Sequence, residues 1–142
     1  MKKLLFVTTV LFLSCAFSPQ KKTKIIFFGD SITELGVKEK PYRGYILELE
    51  DKSKAENKSD QYDFIGSGIS ANKVYDLYLR LEEDVLSKNP DVVFIYVGVN
   101  DVWHKTLLGT GTDADKFEKF YLAILKKLKD KKGTKHRVRF TR

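Results

Sequence analysis

Lys24-Ile25-Ile26-Phe27-Phe28-Gly29-Asp30-Ser31 decides the architecture of this chain. Its apolar residues follow one another without alternation, as in a strand buried on both faces, and the run stops at a glycine. Two later stretches share that form. Tyr62-Asp63-Phe64-Ile65 leads into Gly66-Ser67-Gly68, and Asp91-Val92-Val93-Phe94-Ile95-Tyr96-Val97 leads into Gly98. Helical periodicities lie between and after them. Pro41 opens a stretch carrying Tyr42, Tyr45, Ile46 and Leu49 on one face, and Val74, Leu77, Leu81, Val85 and Leu86 form a second stripe that Asn89-Pro90 ends. A third helix, capped by Thr112 or Asp113 and ended by Gly133, carries Phe117, Phe120, Tyr121, Ile124, Leu125 and Leu128. Strand and helix therefore alternate three times, which predicts an α/β domain of three layers, α/β/α, around a parallel sheet.

In such a sheet a ligand site lies beyond the carboxyl ends of the strands. Each strand here runs into a glycine-bearing loop: Gly29-Asp30-Ser31, Gly66 to Ala71, and Gly98-Val99-Asn100-Asp101. Parallel pairing gathers all three at one rim. Ser31, just past a buried strand, is held by the core and open to solvent, and Gly29 permits a tight turn with unusual backbone angles. The plain alternatives are Ser31 as a helix cap and Asn100 as a turn residue.

Together, Gly29-Asp30-Ser31-Ile32-Thr33 and Gly98-Val99-Asn100-Asp101 resemble the first and third conserved blocks of the SGNH hydrolases, also called GDSL esterases and lipases. The resemblance implies a flavodoxin-like fold and a serine esterase, with Ser31 attacking an ester carbonyl to form an acyl-enzyme. It also implies an oxyanion hole built from the backbone N–H of Ser31, a backbone N–H of the second block and the side-chain amide of Asn100. Gly68-Ile69-Ser70-Ala71 follows the outline of that second block, with Ala71 where the family has its donor glycine. An alanine N–H donates there if its φ is negative or the strain is borne, and Gly68 is the alternative donor. Asp30, Asp101, Trp103 and His104 are candidates to line the substrate. The implied substrates are small acyl esters, including acetyl groups on a carbohydrate. No metal or organic cofactor is implied, since no His/Cys/carboxylate cluster has ligand spacing.

The second block also fits the dinucleotide fingerprint G-x-G-x-x-A over Gly66 to Ala71. That motif wants an acidic residue at the end of the next strand, whereas Asp91 begins it. The dinucleotide reading is set aside.

A serine hydroxyl is a weak nucleophile without a base. The family takes its base from a late Asp-x-x-His block, and nothing after Gly133 fits one. Arg43 and Arg80 are the only arginines before His136 in a lysine-rich chain, yet the last six residues hold Arg137, Arg139 and Arg142. The expectation is an SGNH domain over residues 24–135, incomplete at its C-terminus through truncation or frame shift, with an atypical tail at 136–142 and weak or absent activity. His104 lies within the third block and His136 in the tail, so neither is read as the base. The alternative function is a non-catalytic, exported glycan-binding or remnant protein.

At 142 residues and 42% apolar composition the chain suits one domain. Lys2-Lys3, the apolar run Leu4 to Leu13 and Ser14-Cys15-Ala16 read as a signal peptide over residues 1–16, followed by a linker at 17–23. Cys15 is the sole cysteine, so no intrachain disulfide is expected; it is either a lipid-attachment site or lost by cleavage after Ala16. This predicts export, with membrane contact only through a lipid at Cys15. Lys2, Lys3, Arg137, Arg139 and Arg142 account for five of the net +7 charges and leave +2 for everything between, which argues against a nucleic-acid partner.

Overall fold

The computed structural model describes residues 21–131. The expected leader, Cys15, Gly133 and the arginine-rich tail lie outside the described residues. Three parallel strands, β1 (Thr23–Gly29), β2 (Tyr62–Gly68) and β3 (Val92–Tyr96), form a sheet in the order β2-β1-β3. The register sets Gly29 opposite Gly68 on one side and Tyr96 on the other. The strands therefore end level at one rim, and the three loops leave from it as expected.

The unbroken apolar run of β1 follows from its central place, because successive side chains enter opposite layers. Ile26 and Phe28, both at 0% exposure, pack in the buried cluster with Val74, Leu77 and Leu81 of α3 (Val74–Asp84) and Ile124 and Leu128 of α5 (Ala114–Asp130). Phe27 belongs to the opposite layer. Its ring meets Tyr45 edge-on at 5.6 Å and stacks on Phe94 at 5.5 Å. Tyr45 opens α2 (Tyr45–Ala55), the helix of that layer, whose Ile46 is fully buried. The α/β/α layering is thus present.

Several boundaries differ from the sequence expectation. The second helix begins at Tyr45 rather than Pro41, leaving residues 36–44 as a loop with Tyr42 exposed. The loop supplies what the helix start lacks: the Gly36 carbonyl accepts the N–H groups of Ile46 (3.0 Å) and Leu47 (3.3 Å). Arg43 bridges Glu39 and Asp51 and pins the loop to α2. Two short helices, α1 (Ser31–Leu35) and α4 (Val99–Leu108), start directly after β1 and β3, where loops were expected. Asp and Asn mark loops and helix starts alike, so local composition could not separate the two. Asp113 does precede α5, but its carboxylate meets Lys105 and Lys116 instead of capping the backbone. On the outer side of β3, Phe94 and Tyr96 are exposed, and among the described residues no strand pairs there.

Candidate active site

Ser31 is the first residue of α1, and the cap is its neighbour. The Asp30 carboxylate accepts the N–H of Ile32 at 3.0 Å, and the Asp30 carbonyl accepts that of Glu34 at 3.0 Å. Ser31 itself is half-buried, and its hydroxyl has no hydrogen-bond partner among the described residues. Gly29 acts differently from the expectation. It keeps an extended backbone without positive φ, and a Cβ there would overlap the Tyr96 carbonyl and the Thr33 hydroxyl. Close approach of β3 and α1, not a strained turn, is what requires glycine.

The second block is bent over the end of β1. Ile69 N–H donates to the Gly29 carbonyl (3.2 Å), and Asn72 N–H to the Ile69 carbonyl (3.3 Å). The Glu34 carboxylate accepts both the N–H and the hydroxyl of Ser70, each at 2.6 Å, and these bonds hold it below the usual carboxylate range. Within this tight bend Ala71 takes φ +65°, the left-handed region that favours glycine. Ala71 therefore carries strain of about 1–2 kcal/mol. Gly68, by contrast, closes β2 in the ladder opposite Gly29, so of the two candidate donors only Ala71 lies in the loop. Ala71→Gly should raise the unfolding free energy by about 0.5–1 kcal/mol, once glycine's extra chain entropy is subtracted. Denaturant unfolding checks this, and a lower midpoint would refute the strain.

The third block is latched to the second. Asn100 and Asp101 lie in the first turn of α4 and are buried. One Asn100 Nδ2–H donates to the Asn72 carbonyl at 3.0 Å, and a carboxamide has a second hydrogen to give. Both Asp101 carboxylate oxygens accept the Val74 N–H at 3.2 Å, placing negative charge at the start of α3.

Of the four candidates for lining substrate, two do not fit. Asp30 is 0% exposed, with one oxygen used on Ile32. Asp101 borders a groove of roughly 460 Å³ between α4 and α5, but it is 2% exposed and its carboxylate is used on Val74. Trp103 is exposed on α4. His104 is half-buried one helical turn after Asn100, and its ring has no hydrogen-bond partner among the described residues. Beside α1 lies an open concavity of about 160 Å³ walled by Ile32, Leu35, Tyr42 and Tyr45 among others.

Asp30 also carries an electrostatic cost. Its second oxygen is buried without a partner among the described residues, and burial pushes the carboxyl above its ordinary value of 3.8. The Ile32 N–H opposes that shift, and the Asp101 charge adds to it. Between the ordinary and the raised value the folded chain holds a proton that the unfolded chain has released. Stability therefore falls as pH rises through that window. Asp30→Asn keeps an acceptor for Ile32 and removes the charge, so it should flatten this fall and raise the midpoint at neutral pH. Urea unfolding across a pH series decides it; curves that stay parallel would contradict the argument.

Asn72, Glu34 and Arg80, which join these loops, were missed by sequence reasoning. One signal was present: Arg43 and Arg80 are isolated arginines in a lysine-rich body, and both are held by several partners.

Comparison with known proteins agrees with this fold. The model of the GDSL-like lipase/acylhydrolase family matches residues 27–139. An acetylxylan esterase of Geobacillus stearothermophilus is 36% identical over 91 residues, 58% of this chain and 41% of that protein. Among solved structures, the acetyl xylan esterase AlAXEase superposes with a TM-score of 0.74 at 60% identity, covering 80% of this chain and 55% of that one. Axe2, an acetylxylan esterase from Geobacillus stearothermophilus, gives a TM-score of 0.64 at 28% identity over 81% of this chain and 58% of its own. Three variants of Axe2, each described as a catalytic mutant, replace a serine, an aspartate and a histidine by alanine. The chain thus spans between 41% and 58% of the length of these relatives.

Proposed function

Because the chain belongs to the GDSL-like lipase/acylhydrolase family, we propose that it is built for serine-dependent ester hydrolysis, with Ser31 as nucleophile. One observation carries the reading: a free serine hydroxyl opens a helix at the rim where the second and third blocks are latched together. The Ser31 oxygen attacks the ester carbonyl and loses its proton to a base. Negative charge then develops on the former carbonyl oxygen. Three donors are available to it: the Ser31 N–H, which has no intrahelical partner at a helix start, the Ala71 N–H, and the second Asn100 Nδ2–H. The alcohol leaves with a proton, and water releases the acyl group from Ser31.

The substrate we propose is a small acyl ester, in particular an acetyl group on a carbohydrate. Its support is the activity named for the two acetylxylan esterase relatives. Trp103 and His104 are the remaining candidates to line it. Export, read from residues 1–16, would place the chain where such glycans occur.

Turnover by this chain is proposed to be weak. Ser31 has no basic partner among the described residues, His104 makes no bond to it, and His136 lies outside them. Without a base at Ser31 such a constellation would retain only about 10³–10⁴-fold catalysis over water, supplied by the oxyanion hole and binding. The test is exposure to p-nitrophenyl acetate, with release rates and peptide mapping of the acetylated chain. A slow rate that disappears in Ser31→Ala, with an acetyl group mapped to Ser31, is expected. Equal rates in both chains, with acetyl on lysines alone, would favour the non-catalytic glycan-binding reading.

A further inference from the structure

We propose that Arg80 is a positioning residue, whose guanidinium holds the nucleophile turn and the oxyanion-hole loops as one rigid unit. The proposal rests on the reading of Ser31 and Asn100 given above. Arg80 comes from α3, away from all three conserved blocks, and its side chain is only 13% exposed. All three nitrogens donate. Nη2 donates to the Gly29 carbonyl at 2.8 Å, two residues before Ser31, and to the Ser67 carbonyl at 3.2 Å. Nε donates to the Asn72 side-chain oxygen at 2.7 Å. Nη1 meets the Asp84 carboxylate one turn along α3 and, more weakly, the Ser67 hydroxyl at 3.4 Å. The guanidinium carbon lies 4.5 Å from the centroid of the Phe28 ring, which fixes its plane against the core.

The route does not end at Asn72. Its backbone carbonyl is the acceptor for Asn100 Nδ2 at 3.0 Å, so a single planar cation reaches the first block directly and the third through one residue. The strand ladder already holds Gly29 and Ser67, but it does not hold Asn72, which lies beyond the end of β2. The bond from Nε is therefore the one that a purely architectural role leaves unexplained. Lysine cannot make this bond together with those to Gly29, Ser67 and Asp84, because its donors radiate from one nitrogen whereas the arginine fork spreads five in a plane.

Amide hydrogen exchange on the full chain tests the proposal without needing turnover. In Arg80→Lys, exchange should accelerate about tenfold in segments 69–72 and 102–104, where the α4 amides first find acceptors, the change expected from one lost hydrogen bond, while the amides of 25–28 keep their protection. Asn72→Ala, which removes only the loop end of the bond, should give the same pattern; it decides the matter if the Arg80 variant does not fold. Uniform acceleration across all elements, or no change in these two segments, would overturn the proposal. Acetylation of Ser31 separates this from the functional reading. If wild-type Ser31 is acetylated, Arg80→Lys should slow it by about 100-fold at equal folded fraction, the scale of a misplacement near 1 Å. If wild-type Ser31 is never acetylated, the nucleophile reading fails while exchange still decides the role of Arg80.

Discussion

Gly68→Ala should destabilise the chain by about 3 kcal/mol or more, at or beyond the upper end of what one added methyl costs in a packed interior. A Cβ at residue 68 would overlap the Glu34 backbone nitrogen and lie 2.5 Å from the Thr33 carbonyl carbon and 2.7 Å from the Asp30 carbonyl oxygen. All three are backbone atoms of the Asp30–Glu34 turn, so no side chain can rotate away. Either α1 lifts from the sheet or the Gly29–Gly68 pairing opens. The first outcome carries Ser31 with it and the second breaks the central ladder. Denaturant unfolding gives the magnitude, and an unchanged midpoint would show that α1 is not seated against β2 as described.

Phe28→Ala should cost about 3–5 kcal/mol, a large share of the 5–15 kcal/mol that holds a typical domain together. Phe28 is fully buried in the cluster with Leu77, Leu81 and Ile124, so its removal leaves a cavity walled by two helices and the sheet. The same ring is the platform under Arg80, and the variant should therefore also loosen the loop around Asn72. Phe94→Ala is the internal control. Phe94 lies on the edge strand and is 41% exposed, so its truncation should cost clearly less. Equal losses in the two variants would contradict the assignment of the core to the β1, α3 and α5 layer.

Much of this architecture was legible along the chain. The alternation of strands and helices, the parallel pairing and the gathering of three loops at one rim follow from apolar runs that each end in glycine, whereas the order β2-β1-β3 is seen only in the fold. Ser31, Ala71 and Asn100 could be singled out as candidates because their neighbours in sequence carry the pattern. What escaped was decided by partners distant in the chain. Arg80 stands 51 residues from the carbonyl it holds, and Asn100 is 28 from its acceptor. Asp30 and Asp101 looked like site-facing acids, but their roles depend on burial and on N–H groups supplied elsewhere. The helix starts at Ser31 and Val99 were hidden because caps and turns use the same residue types.

The sequence by itself determined that the chain is a layered α/β domain with a serine at the rim of its sheet, since hydrophobic period and glycine placement are local properties that each segment displays alone. Tertiary structure decided how that serine is held, that Ala71 is forced into a left-handed bend, and that one arginine joins the loops. Those features depend on groups far apart in the chain meeting at hydrogen-bond distance. Geometry of that kind exists only after the layers have packed.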